Sequence, residues 1–178
     1  MRGWEASRGP ATRCRRVGPD DGLELREIRL EALASDPLAF GSTWARESPR
    51  SAGEWQEIAR RSSVSSRDTI WVAEASDGGF VGMAGLFWQE DRFHVWGMWV
   101  TPEVRGQGVG RELLANLLAW AGDVAPSAEV VLGVHPGHVA AVRLYRRCGL
   151  VATGRVDPLG HADGEVVHEM RWTRTSPP

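Results

Sequence analysis

The segment 100–110, VTPEVRGQGVG, constrains the fold of this chain more than any other part of the sequence. It has the pattern of a strand end, a proline that stops the strand, a turn with glycine at 106, 108 and 110, and the start of an apolar helix. Glycines let backbone N–H groups converge without interference from Cβ atoms, and a helix N-terminus attracts negative charge. The segment therefore predicts a strand–turn–helix unit that binds an anion such as a pyrophosphate.

Two other kinds of phosphate loop do not fit this segment. A Walker loop needs Lys-Ser or Lys-Thr after its last glycine, whereas Arg111 and Glu112 follow Gly110. The glycines also alternate instead of following the GxGxxG spacing of dinucleotide-binding turns. The pattern disfavours a nucleoside triphosphate or a dinucleotide, and a tight connection without any ligand is the alternative.

Apolar periodicity predicts an α/β domain in which two helices come before most of the strands. Asp21 and Glu24 resemble a capping box at the start of the first helix. The predicted helices are 21–35, 52–61, 109–121 and 139–148, and the predicted strands are 70–75, 80–88, 93–100, 130–134, 150–156 and 166–172. The first three strands are expected to be antiparallel, since short turns connect them.

Composition and charge narrow the class of protein. The 178 residues have a formal net charge of −2, which gives no basic surplus for binding nucleic acid or an anionic membrane. No apolar run is long enough for a membrane span or a secretory signal, and Cys14 and Cys148 lie too far apart for a CxxC metal motif. We therefore expect a cytoplasmic protein without a metal site, with one domain at 12–172 between tails at 1–11 and 173–178.

Two motifs carry a family resemblance. The spacing R-x-x-G-x-G at 105–110 follows V-x-P-x-x-R-G, and A-x-x-L-Y-x-x-x-G-L occupies 141–150. Together they resemble the conserved blocks of the Gcn5-related N-acetyltransferase (GNAT) family, and the element order is similar from 12 to 172. The resemblance implies a single-domain α/β fold with a mixed, mostly antiparallel sheet, splayed parallel strands 4 and 5, and helices on both faces.

The resemblance also implies a reaction and its co-substrate. GNAT enzymes transfer an acetyl group from acetyl-CoA to a primary amine by direct attack within a ternary complex, and many are homodimers. The glycine-rich turn would bind the pyrophosphate, and His138 occupies a position that is usually asparagine; a solvated histidine at a helix start is the alternative. The implied acetyl-CoA-binding residues are Met98, Trp99, Val100, Arg105, Gly106, Gln107, Gly108, Val109, Gly110, Arg111, His138 and Ala141.

Direct attack needs a base for the amine, a donor for the oxyanion and an acid for the departing thiolate. The resemblance assigns the oxyanion to backbone N–H groups at 98–100 and the acid to Tyr145, the only tyrosine in the chain, although its ring could simply anchor a helix. His94 is the candidate base, because strand parity places it on the same side as Met98 and Val100. A strand-edge histidine without a catalytic role is the alternative.

Other family members carry a glutamate base on the fifth strand, where this chain has Gly133, so that mechanism is not expected. The remaining candidate bases are Glu90, Asp91, Glu165, His168 and a chain of water molecules. A catalytically silent acyl-CoA sensor or interaction module of the same fold is the alternative to an enzyme, because Gly133 and His138 depart from the family pattern.

The resemblance places the acceptor amine between the first helical pair, the fourth strand and the last hairpin. The tryptophans on these segments are Trp44, Trp55 and Trp96, and 161–165 forms the hairpin end. They could line an aromatic pocket, although such tryptophans are more often core residues. The acidic residues that could attract a cationic amine, or are simply solvated, are Asp157, Asp163 and Glu165. The sequence does not choose among a polyamine, an antibiotic, an amino acid and a protein terminus.

Overall fold

The computed structural model describes residues 12–173, which form seven strands and five α-helices. In chain order these are β1 (Arg13–Arg16), α1 (Gly22–Ser35), α2 (Trp44–Glu47), α3 (Ala52–Val64), β2 (Asp68–Glu74), β3 (Phe80–Gln89), β4 (Arg92–Val100), α4 (Val109–Val124), β5 (Glu129–Val134), α5 (Val139–Arg147), β6 (Leu150–Pro158) and β7 (Val166–Trp172). Every predicted helix and strand is present. The two predicted tails lie outside the described residues except for Thr173, whose N–H and hydroxyl both donate to the carbonyl of Gly149.

The strands form a single mixed sheet with the order β1-β2-β3-β4-β5-β7-β6. Its parallel pair is β4–β5, and the other neighbouring strands are antiparallel. The pairing between β4 and β5 joins only Arg92–His94 of β4 with Glu129–Val131 of β5. Beyond this pairing, β4 continues to Val100 and β5 to Val134. The two strands therefore part along the second half of β4, which confirms the predicted splay.

Apolar cores cover both faces of the sheet. On one face α4 and α5 pack against the strands, with a buried stripe along α4 of Val109, Leu113, Leu114, Leu117, Leu118 and Ala121. On the other face α1 and α3 cover β2, β3 and β4. Full burial of each Leu or Ile side chain contributes about 1.5–3 kcal/mol. The helices on both faces hold the parted strands in place from above and below.

A β-bulge in β4 shifts the alternation of its side chains. Gly85 pairs with Trp96 and Met83 pairs with Trp99, so two residues of β4, Gly97 and Met98, lie opposite one residue of β3. Gly97 has φ +64°, a left-handed conformation that suits glycine. Even-numbered residues before the bulge therefore face the opposite side of the sheet from even-numbered residues after it.

Two elements near the N-terminus were not predicted. β1 has the sequence RCRR, which has no apolar pattern. Its arginines make polar contacts instead. Arg15 donates to Asp21 and Glu74, at 2.5 and 2.7 Å. The short α2 has only four residues and no apolar repeat.

The predicted capping box of Asp21 and Glu24 is wrong. The Asp21 carboxylate accepts from Arg15 and from the N–H of Gly18 at 2.6 Å, and it makes no cap hydrogen bond to α1. A capping box occurs instead at α3, where Ser51 and Glu54 exchange hydrogen bonds.

Within residues 12–173, no helix is both long enough and apolar enough to cross a bilayer. Over the same range, no three His, Cys, Asp or Glu side chains are grouped so that they could hold a metal ion. Cys14 and Cys148 are free thiols, partly buried in the α4 face of the sheet.

Candidate active site

The turn between β4 and α4 presents unpaired backbone N–H groups. α4 begins at Val109 with Gly108 as its N-cap, and no side chain caps it. The first intrahelical hydrogen bond runs from Glu112 to the carbonyl of Gly108, so the N–H groups of Val109, Gly110 and Arg111 have no acceptor among the described residues. These groups, at the positive end of a helix of 16 residues, can hold an anion.

Glycine is needed in this turn for two different reasons. Gly106 and Gly108 have φ +78° and +92°, and a Cβ at either position would meet no atom within 4 Å, so the backbone is open to a ligand. A Cβ on Gly110 would instead lie 3.3 Å from Cδ2 of Leu144 on α5. The small size of Gly110 lets α4 approach α5. The first two glycines keep the turn open, and the third lets the helix behind it pack closely.

Arg105 makes hydrogen bonds to the protein through two of its five N–H donors. Its Nε donates to the carbonyl of Val100 at 2.8 Å and its Nη2 to Oδ2 of Asp36 at 2.9 Å. The indole N–H of Trp99 donates to the same Asp36 oxygen at 2.7 Å. Nη1 and the second hydrogen of Nη2 have no acceptor among the described residues, so three N–H groups of Arg105 are left for a ligand. Asp36, at the end of α1, was missed by the sequence reasoning, and it connects the acceptor-side loop to the glycine-rich turn.

The other predicted residues of this turn are exposed. Gln107 donates to the carbonyl of Glu103 at 3.2 Å, and Arg111 extends from the first turn of α4. The cationic side chain of Arg111 belongs to the helix end that carries the unpaired N–H groups, and it adds positive charge to the anion site.

A cavity of about 900 Å³ opens where β4 and β5 part. Gly97 and Met98 of β4, Leu132 and Gly133 of β5, and Tyr145 of α5 line it at this end. The cavity continues between the α1–α3 side and the β6–β7 connection. The structure therefore brings Tyr145 together with the parted strands. A glutamate at 133 would be crowded, since a Cβ there would lie 3.2 Å from Cγ2 of Val167.

Tyr145 is both a core residue and a cavity residue. Its ring belongs to the α4 face of the core, and the residue is 6 % exposed. Burial, with a smaller effect of Cys148, raises the pKa of Tyr145 above its ordinary value, so its hydroxyl stays protonated at neutral pH. The hydroxyl makes no hydrogen bond to any described residue. It is therefore free to donate to a ligand that enters the cavity.

The parity argument for His94 is wrong because of the bulge in β4. Met98 and Val100 pack on the α4 face of the sheet, whereas His94 pairs with Phe87 and stacks on its ring at 5.0 Å, on the opposite face. Phe87 lines the cavity and His94 lies behind it. Burial, and then the charge of Arg92, lower the pKa of His94, and its buried Nε2 has no partner among the described residues.

The predicted coenzyme residues of β4 divide between the two faces. Met98 lines the cavity, and the side chain of Val100 packs against the α4 core. Trp99 is 5 % exposed in the α1–α3 core, with its indole N–H bound to Asp36. Only the backbone of Trp99 and Val100 can therefore contribute to an oxyanion site.

Two histidines lie at the end of β5. His138 is the N-cap residue of α5, with its ring centroid 5.4 Å from that of His135. Burial and the neighbouring His135 lower the pKa of His138, so the ring is neutral near pH 7. Ala141, one turn later, packs against the α4 core.

Glu165 forms a hydrogen bond with His135, a residue that was not predicted from the sequence. Nδ1 of His135 accepts from the N–H of Gly137 at 3.1 Å, so in the neutral ring Nε2 carries the proton and donates to Glu165 Oε2 at 2.6 Å. This contact ties the β6–β7 connection to the end of β5.

The other candidate bases are poorly placed. Glu90 and Asp91 form the turn before β4, at the end of the strand away from the parting. His168 is an exposed residue of β7 opposite Val134.

The far end of the cavity carries charged and aromatic side chains from α1, α2 and α3. Arg29 and Glu47 form a buried, bidentate ion pair at 2.7 and 3.1 Å. Burial alone would raise the pKa of Glu47, but the hydrogen bond and charge of Arg29 hold it below its ordinary value. Trp55 and Trp96 line the cavity as expected for an acceptor pocket, whereas Trp44 is 51 % exposed and lies outside the lining. No sequence motif links these residues.

The hairpin end closes the cavity on its other side. Pro158, Leu159 and Gly160 line it, and Nε2 of His161 donates to the carbonyl of Pro37 at 3.1 Å. The segment predicted to border the acceptor therefore contacts the loop after α1. Among the acidic residues considered there, Asp157 is paired with Arg155 at 2.8 Å.

Comparison with known proteins agrees with this geometry. A sequence model of the acetyltransferase (GNAT) family matches residues 28–150. The mycothiol acetyltransferase of Mycolicibacterium paratuberculosis is 30% identical over 147 residues, which cover 75% of this chain and 44% of that protein. The chain thus spans less than half the length of that relative. The aminoglycoside N(6')-acetyltransferase type 1 of Stenotrophomonas maltophilia is 28% identical over 153 residues, which cover 80% of this chain and 88% of that protein.

Solved structures share the fold. A GNAT acetyltransferase from Streptococcus pneumoniae superposes with a TM-score of 0.76 at 19% identity, covering 90% of this chain and 98% of that one. The yncA protein of Salmonella typhimurium, solved with its cofactor acetyl-CoA, gives a TM-score of 0.73 at 18% identity, covering 94% and 98%. With the matched family region, the parted strands and the open glycine-rich turn, the chain belongs to the acetyltransferase (GNAT) family, whose co-substrate is acetyl-CoA.

Proposed function

We propose that the protein transfers the acetyl group of acetyl-CoA to a primary amine by direct attack in a ternary complex. The observation that carries this proposal is a single cavity that reaches from the parted strands, beside Tyr145, to a separate acceptor-side wall. Two substrates can therefore enter from opposite sides and meet at β4. A covalent relay through the protein is not required by this arrangement.

The coenzyme is held mainly by backbone groups. The unpaired N–H groups of Val109, Gly110 and Arg111, with the open backbone of Gly106 and Gly108, fit a diphosphate. The pantetheine arm would then lie between β4 and β5, with His138 at the start of α5 beside it. Met98 and Ala141 supply apolar contacts at its two sides.

Acetyl-CoA supplies an activated acetyl group on a thioester. A neutral amine forms the new N–C bond at the acetyl carbon, the C–S bond breaks, and the sulfur leaves with a proton from the Tyr145 hydroxyl. The protonated, buried hydroxyl of Tyr145 suits this role. Backbone N–H groups at 98–100 stabilise the negative charge that develops on the oxygen.

The proton of the amine leaves through water. His94 remains the proposed acceptor of that proton, because its neutral ring lies directly behind Phe87 of the cavity wall and its Nε2 is unpaired. A water molecule must bridge the gap, since His94 does not itself line the cavity. Glu165 is less suited, because it already accepts a hydrogen bond from His135.

The first test combines binding and turnover. Acetyl-CoA and CoA should raise the melting temperature of the protein, and ATP and NADH should not. With an accepted amine, Tyr145→Phe should lower kcat about a hundredfold with little change in the KM of acetyl-CoA. Coenzyme binding without turnover of any amine would favour the acyl-CoA sensor, and absence of coenzyme binding would overturn the proposal.

We infer a homodimer from the edge of the sheet. Within residues 12–173, β6 pairs only with β7, and Val151 and Val156 on it are 45 % and 50 % exposed. An exposed edge strand is a ready template for a second strand. Light scattering should give twice the 19.5 kDa mass of the chain.

We also propose that the protein acts in the cytoplasm. Cys14 and Cys148 are free thiols on residues that pack into the sheet, which suits a reducing compartment.

A further inference from the structure

The acceptor end of the cavity has a surplus of positive charge. The charged residues that line it are the arginines Arg29, Arg46, Arg50 and Arg61 and the carboxylates Glu47 and Asp68. A lining with more guanidinium groups than carboxylates repels polyamines and other polycations. An acceptor amine that enters this end of the cavity is therefore repelled unless the molecule also carries a negatively charged group.

Arg29 is the most deeply buried of these cations. The residue is 3 % exposed, and its guanidinium lies between the rings of Phe40 and Trp96, at 5.0 and 5.2 Å from their centroids. Its Nε and Nη2 bind Glu47, whereas Nη1 is buried and has no partner among the described residues. Because buried donors are nearly always paired, an unpaired guanidinium nitrogen in a cavity wall marks a place for an acceptor atom.

The carboxylate of Glu47 does not neutralise this region. Arg50 donates to Oε2 of Glu47 at 2.9 Å, so one carboxylate serves two guanidinium groups. The remaining positive charge lies in a cavity with aromatic walls, where an anion is attracted more strongly than in water. Two arginines held in place by one glutamate form a preorganised anion site.

Nη1 of Arg29 lies close to the place where the acetyl group is expected. It is 3.6 Å from the position that a Cβ would take on Gly97, at the bulge of β4. Gly97 directly precedes Met98, and consecutive residues of a strand are about 3.3 Å apart. A group bound to Arg29 is thus only a few ångströms from the parted strands.

We propose that the acceptor is a free α-amino acid, whose carboxylate binds Arg29 and Arg50 while its adjacent amine faces the parted strands. The short distance between the amine and the carboxylate matches the short distance between Nη1 of Arg29 and the Cβ position of Gly97 at the bulge of β4. Phe40, Trp55 and Phe87 on the cavity wall favour an apolar or aromatic side chain. This inference rests on the proposed acetyl transfer and names the acceptor class for it.

The test compares amines that differ in one group. L-Phenylalanine, phenethylamine, L-phenylalanine amide and the dipeptide Phe-Gly are offered with saturating acetyl-CoA, and thiol release is measured. The free amino acid should have at least a tenfold lower KM than the three compounds that lack the adjacent carboxylate, as expected for a charged hydrogen bond worth about 1.5–3 kcal/mol. Equal or better use of phenethylamine, L-phenylalanine amide or Phe-Gly would overturn the inference.

Variants separate recognition of the carboxylate from a structural role of Arg29. Arg29→Met and Arg50→Met should raise the KM of L-phenylalanine without raising that of phenethylamine. The control is Arg60→Met, because Arg60 forms the same kind of ion pair with Glu57 on the exposed surface of α3, outside the cavity. A parallel rise in KM for both amines would mean that the arginines only support the fold, and it would overturn the proposed contact.

The outcomes distinguish this inference from the function on which it rests. Thiol release with simple amines but not with amino acids leaves acetyl transfer intact and removes the amino acid acceptor. Failure of every amine, with or without a melting shift from acetyl-CoA, removes the acetyl transfer itself and the inference with it. If Arg29→Met does not fold, the comparison of amines on the unaltered protein decides alone.

Discussion

The proposed coenzyme side of the site, which is the turn at 100–111, and the acceptor side, which is the cavity, are built in opposite ways. The proposed coenzyme side is one continuous segment, 100–111, and it presents backbone N–H groups beside Gly106 and Gly108. The acceptor side is assembled from α1, α2, α3 and β4 and presents side chains, among them the buried pair of Arg29 and Glu47. Backbone recognition suits a ligand shared by a family, and side-chain recognition suits a ligand that differs among its members.

The difference implies that the two sides fail differently when mutated. On the coenzyme side, the critical property is the conformation of glycine, and side-chain changes nearby matter little. On the acceptor side, a single buried charge matters for both the fold and the substrate. The three predictions that follow separate these two behaviours.

The largest effect is expected for Glu47→Gln on the acceptor side. Removing one partner of a buried ion pair costs about 3–5 kcal/mol, because Arg29 then stays buried without its counter-ion. The midpoint of urea unfolding should fall accordingly, whereas Glu57→Gln, in an exposed pair on α3, should leave the midpoint near that of the unaltered protein. Equal midpoints for the two variants would contradict the assigned role of Glu47.

The same variant has a pH signature. The pKa of Glu47 lies below its ordinary value of 4.5, so its ion pair stabilises the fold fully above that pH and loses this contribution as the pH falls. Part of the acid destabilisation of the unaltered protein should therefore be absent from Glu47→Gln.

A smaller loss, in the stability of the turn and in coenzyme binding, is expected for Gly108→Val. Valine at φ +92° strains the turn by about 1–2 kcal/mol and places a side chain over the unpaired N–H groups. The matched control is Gly78→Val, because Gly78 has φ +89° in the β2–β3 turn, with nothing near its Cβ position.

Both glycine variants should lose similar stability in thermal unfolding. Calorimetry should show an acetyl-CoA affinity about a hundredfold weaker for Gly108→Val alone, a difference of about 2.7 kcal/mol. If Gly78→Val weakens the coenzyme equally, the turn at 106–108 is not the anion site.

The smallest effect is expected for His94→Gln, at the border between the two sides. In the unaltered protein, kcat/KM should fall on the acid side with a midpoint below the ordinary histidine pKa of 6.5, since burial and Arg92 lower the pKa of His94. His94→Gln should lower kcat less than about tenfold, because water remains in the relay, and should remove that acid limb. An unchanged pH profile would exclude His94 as the proton acceptor.

The coenzyme side could be predicted from the sequence because its chemistry is local. The spacing of glycines around Arg105 already specifies a turn, a helix start and a row of N–H groups. Six of the seven described strands were also predictable, since they contain runs of β-branched, aromatic or other apolar residues, several of them bounded by turn residues. The link from Arg105 to Asp36 was not, because it joins residues 69 positions apart.

The acceptor side could not be predicted for the same reason. Arg29 is one of two arginines on α1, and nothing near it in the sequence marks it as buried or as the partner of Glu47. β1 was not predicted because it has no apolar pattern, and its Arg15 is stabilised by ion pairs instead. Tyr145 was found only through the family motif, since its place in the cavity depends on the packing of α5.

The glycine in the WGMW segment of β4 changes which residues of this strand lie on the same face of the sheet. A strand is read in steps of two residues, and Gly97 adds one residue, so the reading frame shifts at that point. Trp96 and Trp99 consequently lie on the same face although they are three positions apart, a spacing that normally indicates a helix. Anyone who redesigns this strand must treat 92–96 and 98–100 as two separate frames, and deletion of Gly97 would exchange the faces of everything between it and the glycine-rich turn.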